Sequence, residues 1–141
     1  MDILYTNIRS LKKNLDELNN FLVINKLSPI IIALTETWLG KNSFFNPNLN
    51  GYNYITCELD KRVGGVAFFI KNNIQFKIRT DYQVNVANCE ELWIEVITNN
   101  TSTIYGLIYR HPNRSETLNF QQKFIDTIYE LSKIKKTFYP R

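Results

Sequence analysis

The first 34 residues carry the pattern that most limits what this chain can fold into. Ile3 to Thr6 reads as a short buried strand, which Asn7, Arg9 and Ser10 then break. Leu11, Leu15, Leu18 and Leu22 follow at helical spacing, with Lys12, Lys13, Asp16 and Glu17 on the other side. Ser10 suits the N-cap. Ser28-Pro29 ends the segment, because the residue before a proline is pushed out of the helical region. Ile30 to Leu34 is an unbroken aliphatic run, the pattern of a strand covered on both faces. Strand, helix and strand in this order make a βαβ unit. Its two strands should be parallel and joined by a right-handed helical crossover.

This unit already places candidate chemistry. In open α/β sheets, ligands bind beyond the carboxyl ends of the parallel strands. Asn7 lies just past the first strand and Glu36 just past the second. An amide oxygen and a carboxylate on one sheet edge suit a hard cation such as Mg²⁺. The same residues also fit a plainer role, with Asn7 capping a turn and Glu36 a solvated strand end. The residues alone leave both readings open.

Beyond a polar loop from Gly40 to Asn53, strands are expected at Tyr54 to Cys57, Val66 to Ile70, Ile74 to Arg79, Leu92 to Ile97 and Thr103 to Tyr109. Asn72-Asn73 and Asn99-Asn100 read as hairpin turns between antiparallel neighbours. In the run from Ile74 to Arg79, apolar and polar residues alternate as in a half-exposed strand. Gly64-Gly65 marks a bulge or a tight start to the following strand, and no GxxxxGK pattern makes it a phosphate loop. A last helix is expected from about Glu116 to Ile134, with Leu118, Phe124, Ile125, Ile128 and Leu131 on its apolar face. Glu116 at its start and Lys133, Lys135 and Lys136 at its end suit the helix dipole.

The 141 residues suffice for one domain, and 44% hydrophobic with 21% charged residues excludes disordered and collagen-like classes. The net charge of +4 fits a polyanionic partner or a solvated basic surface equally, since the Lys and Arg residues are scattered. Cys57 and Cys89 are far apart and form no CxxC or Cys/His spacing, so zinc is not expected and reduced thiols are. The N-terminus lacks a signal-peptide pattern, and the longest apolar run is far too short to span a bilayer. An intracellular, nuclear or cytoplasmic protein without a membrane partner is expected. The sequons at Asn99, Asn100 and Asn113 would then never meet a glycosyltransferase.

Five segments occur in order: TNIRSL (6–11), PIIIALTETWL (29–39), RVGGVAFFIKN (62–72), ELWIEV (91–96) and GLIYRHPN (106–113). Together they resemble the N-terminal part of the endonuclease domain of LINE-type (non-LTR) retrotransposons, within the endonuclease/exonuclease/phosphatase superfamily. The likeness covers almost the whole chain. It implies an α/β fold, the first half of a four-layer α/β sandwich, with mixed β-sheet and flanking helices. It implies a Mg²⁺-dependent DNA endonuclease that hydrolyses phosphodiesters. Glu36 would be the metal-binding glutamate, and Asn7 would help organise metal and scissile phosphate. Tyr109 would contact the phosphate, with Arg110 and Asn113 on the substrate side. Tyr109 also fits a packing role at a strand end, and Arg110 a surface charge. His111, the only histidine, does not match the family's catalytic histidine.

The sequence departs from the family by lacking the GDFN-like and SDH-like motifs, which supply further acidic residues, an asparagine and the catalytic histidine. Residues 1–141 are thus expected to be a partial domain, truncated before those motifs. Little or no nuclease activity is expected, with weak or absent Mg²⁺ binding. General acid–base catalysis alone contributes roughly 10²–10⁴ in rate. The missing half, or a reverse-transcriptase region, would belong to a longer chain. Two alternatives compete: a non-catalytic nucleic-acid-binding remnant, and another phosphodiesterase or phosphatase branch of the superfamily. A bare binder should show a basic stripe with exposed stacking aromatics, and the linear sequence displays neither. If the second sheet were missing, Val66, Phe68 and Ile70 would present an exposed apolar patch.

Overall fold

The computed structural model describes residues 2–57, 64–85, 89–98, 101–111 and 117–133. The chain divides into two compact units, Met1–Asn73 and Ile74–Arg141.

The first unit contains β1 (Ile3–Asn7), α1 (Leu11–Ile24), β2 (Ile31–Thr35), β3 (Tyr52–Thr56) and β4 (Val66–Lys71). Its sheet has the order β1-β2-β4-β3. β1 and β2 are parallel, in register from Ile3 opposite Ile31 to Asn7 opposite Thr35. β4 runs antiparallel to both β2 and β3, so the sheet is mixed. The expected βαβ unit is present, but Asn7 is the last residue of β1 rather than the first beyond it.

Leu11, Leu15, Leu18 and Leu22 of α1 pack on Ile32, Leu34 and Phe69 of the sheet, flanked by Leu4, Tyr52 and Tyr54. Each such leucine contributes about 1.5–3 kcal/mol by leaving water, an upper figure because the unfolded chain is itself partly collapsed. Four leucines at this spacing are what commit the segment to a helix over the sheet. Ser10 stands at the N-cap without making a side-chain capping bond. Its φ of 87° takes it out of the extended conformation that capping requires. The helix ends well before Ser28-Pro29. Lys26 adopts φ 53°, its N–H bonds the Val23 carbonyl, and the Leu27 N–H bonds the Leu22 carbonyl. This is a Schellman closure, built here on lysine rather than glycine.

Every residue of β2 is buried, as the aliphatic run demands. Val66, Phe68 and Ile70 of β4 are buried too, so the exposed patch does not exist.

The second unit contains β5 (Gln75–Ile78), β6 (Cys89–Thr98), β7 (Thr101–Arg110) and α2 (Thr117–Lys133). Its sheet is antiparallel with the order β5-β6-β7. Asn72-Asn73 forms a turn, but not the expected hairpin, because β4 and β5 belong to different sheets. Turn chemistry is local and does not specify which strands pair. Thr98 lies opposite Thr101 across β6 and β7. Asn99-Asn100, Pro112, Asn113, Glu116 and residues beyond Lys133 lie outside the described residues.

Val84 and Trp93 centre the core of this unit, with Tyr82, Cys89, Ile104, Ile108, Phe120, Phe124 and Leu131 against them. The buried side of α2 thus differs from the expected one. Phe124 and Leu131 pack as expected, but Phe120 joins them, while Leu118, Ile125 and Ile128 are exposed together with Tyr129. The helix carries two apolar stripes, and periodicity cannot say which one a sheet covers. Gly106 sits opposite Trp93, whose ring would lie 2.3 Å from a Cβ placed there. The indole therefore lies flat against bare backbone. The alternation of β5 also inverts at its end: Ile78 is exposed and Arg79 half-buried.

Candidate functional site

The parallel pairing of β1 and β2 brings their carboxyl ends side by side, and with them Asn7 and Glu36. Asn7 is exposed and Glu36 half-buried. The two connections that leave these strands are stitched together by backbone hydrogen bonds. The N–H groups of Ile8, Ser10 and Leu11 donate to the carbonyls of Thr35, Glu36 and Thr37, at 3.0, 2.9 and 2.9 Å. On the other side, the N–H groups of Thr37 and Trp38 donate to the carbonyls of Gly65 and Gly64, at 3.2 and 2.8 Å. The Asn14 amide donates to the carbonyls of Ile8 and Arg9, tying the turn after Asn7 to α1.

This stitching holds an unusual backbone. Glu36 and Trp38 both have φ 55°, and Arg9 and Ser10 have φ 45° and 87°. Four of the six described non-glycine residues with positive φ thus sit just beyond these two strands. Such conformations cost about 1–3 kcal/mol each and persist where surrounding bonds over-determine them. Gly65, at φ 95°, enables the arrangement: a Cβ there would lie 2.1 Å from Thr37 Oγ1. The double glycine is therefore the tight start to β4 that the sequence suggested. Thr37 Oγ1 itself is buried without a hydrogen-bond partner.

Glu36 and Asn7 offer hard oxygen donors of the kind Mg²⁺ accepts. No group of three or more His, Cys, Asp or Glu residues that could hold a metal ion occurs among the described residues. The donor set suits a cation that keeps most of its water, and does not form an all-protein cage.

The other anticipated residues lie in the second unit. Tyr109 and Arg110 end β7, both half-buried. Arg110 Nη1 lies 3.5 Å from Thr117 Oγ1. Tyr109 meets the His111 ring edge to face, with centroids 5.0 Å apart. Asn113 lies outside the described residues.

The sequence reading missed the polar networks of this unit. Glu90, buried opposite Tyr109, lies 2.9 Å from His111 Nε2. A carboxylate only accepts, so Nε2–H is the donor. Glu91 is buried and accepts from the Val84 and Asn85 N–H groups at 2.7 and 2.8 Å, and from Trp93 Nε1 at 2.9 Å. Arg79 forms a two-pronged pair with Asp81, at 2.9 and 2.7 Å, and reaches Glu95 Oε2 at 2.5 Å. The hydrogen bond to Arg79 holds Asp81 below the usual carboxylate range. Glu95 is lowered by the Ser102 hydroxyl and then by Arg79. The only legible signal was the density of carboxylates within Glu90 to Glu95. Cys57 and Cys89 are not joined in a disulfide, and burial pushes the Cys89 thiol up.

No family model matches the sequence, and no curated protein does. Solved structures do share the fold. A 3′-5′ exonuclease from Neisseria meningitidis superposes with a TM-score of 0.65 at 19% identity, over 94% of this chain and 54% of that one. The endonuclease domain of a telomere-specific non-LTR retrotransposon gives 0.61 at 12% identity, over 93% and 52%. An AP endonuclease from Leishmania major gives 0.60 at 16% identity, over 92% and 46%. The chain spans about half the length of these proteins. Its fold is a mixed β-sheet with flanking helices, consistent with half of the four-layer α/β sandwich of these structures. No described helix is long and apolar enough to cross a membrane.

Proposed function

We propose that this chain is part of a Mg²⁺-dependent DNA endonuclease of the LINE-type retrotransposon branch, a partial domain that is inactive as it stands. One observation carries the reading: Asn7 and Glu36 emerge side by side from parallel strands, in a turn held at strained dihedrals by bonds from three segments. Strain retained at a strand end is what a preorganised site requires. The ordered motifs around these residues support the retrotransposon branch. The structural likeness bears on the fold alone and extends equally to exonuclease, retrotransposon-endonuclease and AP-endonuclease structures.

In this reading Glu36 would ligate Mg²⁺, and Asn7 would help organise the metal and the scissile phosphate. The bound ion would polarise a phosphoryl oxygen and offset charge developing there. Tyr109 would contact the phosphate, with Arg110 and Asn113 on the substrate side. The sequence holds neither a GDFN-like nor an SDH-like motif, so the groups that activate water and steady the phosphate must come from elsewhere. A non-catalytic nucleic-acid-binding remnant is the second reading, favoured by the sparse donor set.

Two measurements test the proposal. Substoichiometric Mn²⁺, a paramagnetic stand-in, should broaden the amide signals of Asn7 and Glu36 in an NMR spectrum, and Glu36→Gln should remove the effect. Broadening confined to other residues overturns the metal assignment. Purified chain should not nick supercoiled plasmid in Mg²⁺. Nicking that co-purifies with the chain and is lost in Glu36→Ala would overturn the inactivity.

A further inference from the structure

Beyond Glu36, the chain builds a cleft of about 570 Å³ that the linear sequence does not reveal. Lys12 of α1 lines it together with Trp38, Lys41, Asn42, Ser43 and Phe44 of the loop after β2. Two features set it apart. Two of its three aromatics face solvent: Trp38 is 41% exposed and Phe44 completely so, while Phe45 packs on the core. Its charges have one sign, with two lysines and no carboxylate in the lining.

Exposed aromatics are costly in water unless something covers them. The Trp38 backbone, at φ 55°, is moreover fixed by a bond from its own N–H to the Gly64 carbonyl. Exposed aromatic faces interleaved with cations suit a ligand that is flat, apolar in its plane and anionic at its rim. Nucleotides have that character, and every base offers a π-face irrespective of sequence. Bases within a duplex are already stacked, so the ligand is one whose base is unpaired.

We infer that this cleft is a stacking subsite for an unpaired nucleotide of a single-stranded or frayed nucleic acid, with Trp38 and Phe44 against the bases and Lys12 and Lys41 against the phosphates. The inference rests on the reading that the neighbouring strand ends handle a phosphodiester. It adds that the substrate is opened, or single-stranded, beside the cut. Continuity supports this: Trp38 lies two residues past Glu36 in the same stitched turn. No other surface partner matches so well, since an anionic lipid surface has no base to stack and an acidic peptide no extended π-face.

The chain reports on itself, because one of its two tryptophans is exposed and Trp93 is buried. Titrating a short single-stranded oligonucleotide in EDTA should quench the emission of Trp38. Anisotropy of a labelled strand should show that Trp38→Ala weakens binding about tenfold, within the range for loss of one stacked base. Trp38→Phe should restore most of it. Lys12→Gln should lower the slope of log affinity against log salt by about 0.7, one phosphate contact to a single strand. Wild-type affinity in Trp38→Ala overturns the inference. So does quenching by phosphatidylserine vesicles without quenching by oligonucleotide. Because EDTA removes the metal, loss of stacking with intact Mn²⁺ broadening rejects the cleft alone. Intact stacking without broadening rejects only the metal reading.

Discussion

The two units treat their polar residues in opposite ways. In the first, the backbone does the holding: main-chain bonds fix the turns after β1 and β2, and the side chains of Asn7, Trp38 and Lys12 are presented outward. In the second, the side chains do the holding. Glu91 takes three donors, Glu95 takes Arg79 and Ser102, and Glu90 takes His111. A carboxylate saturated by its own fold stabilises structure. Glu36 instead is carried on a left-handed backbone at a strand end.

The sharpest way to break this contrast is Glu91→Ala. It strips partners from three donors in a buried setting, and a buried unsatisfied group costs about 1–3 kcal/mol. We expect a loss of roughly 3–5 kcal/mol by urea denaturation, consistent with the upper range for single substitutions, and a smaller loss for Glu91→Gln. A cost below about 1 kcal/mol would show that the network is ornamental. Gly65→Ala comes next. Its Cβ would collide with Thr37 at a positive φ, so about 2–3 kcal/mol should be lost, at the upper end of local backbone strain. Thr37→Ala should recover part of that loss in a double mutant, by removing the hydroxyl in the way.

Glu36→Gly sharpens the contrast from the other side. If the backbone at Glu36 is strained, glycine should leave the chain as stable or raise it by about 1 kcal/mol, while abolishing Mn²⁺ broadening. A clear destabilisation would mean that the Glu36 side chain is structural, as in the second unit. The smallest effect concerns pH. Asp81 and Glu95 have folded pKa values below their unfolded ones. Their contribution is present above the usual carboxylate range near pH 4 and is lost as pH falls through the folded values. Urea midpoints should therefore drop on acidification below about pH 4, and Arg79→Leu should flatten that slope.

What could be read from the sequence follows from what periodicity encodes. The leucine spacing and the aliphatic run disclosed β1, α1 and β2, and hence the shared edge for Asn7 and Glu36. Periodicity does not encode pairing partners, so the Asn72-Asn73 turn was assigned to a hairpin that β5 does not form with β4. It does not choose between two apolar stripes, so Ile125 and Ile128 were placed inside. Nor does it bring Lys12 beside Lys41, Trp38 and Phe44, residues about thirty positions apart that only the folded loop assembles. The left-handed backbone at Glu36 was invisible for a simpler reason: no glycine or asparagine stands there to advertise it.

That last feature has an evolutionary side. Glycine is at home where Glu36 sits, and a glutamate is not. A carboxylate at this position carries a backbone cost that glycine would not, and drift would favour residues that tolerate a left-handed backbone. Selection for use of the strand end would oppose that drift. Position 36 is thus a sensitive indicator among related chains. Where it wanders to glycine or asparagine the edge is merely folded, and where it stays acidic the edge is employed.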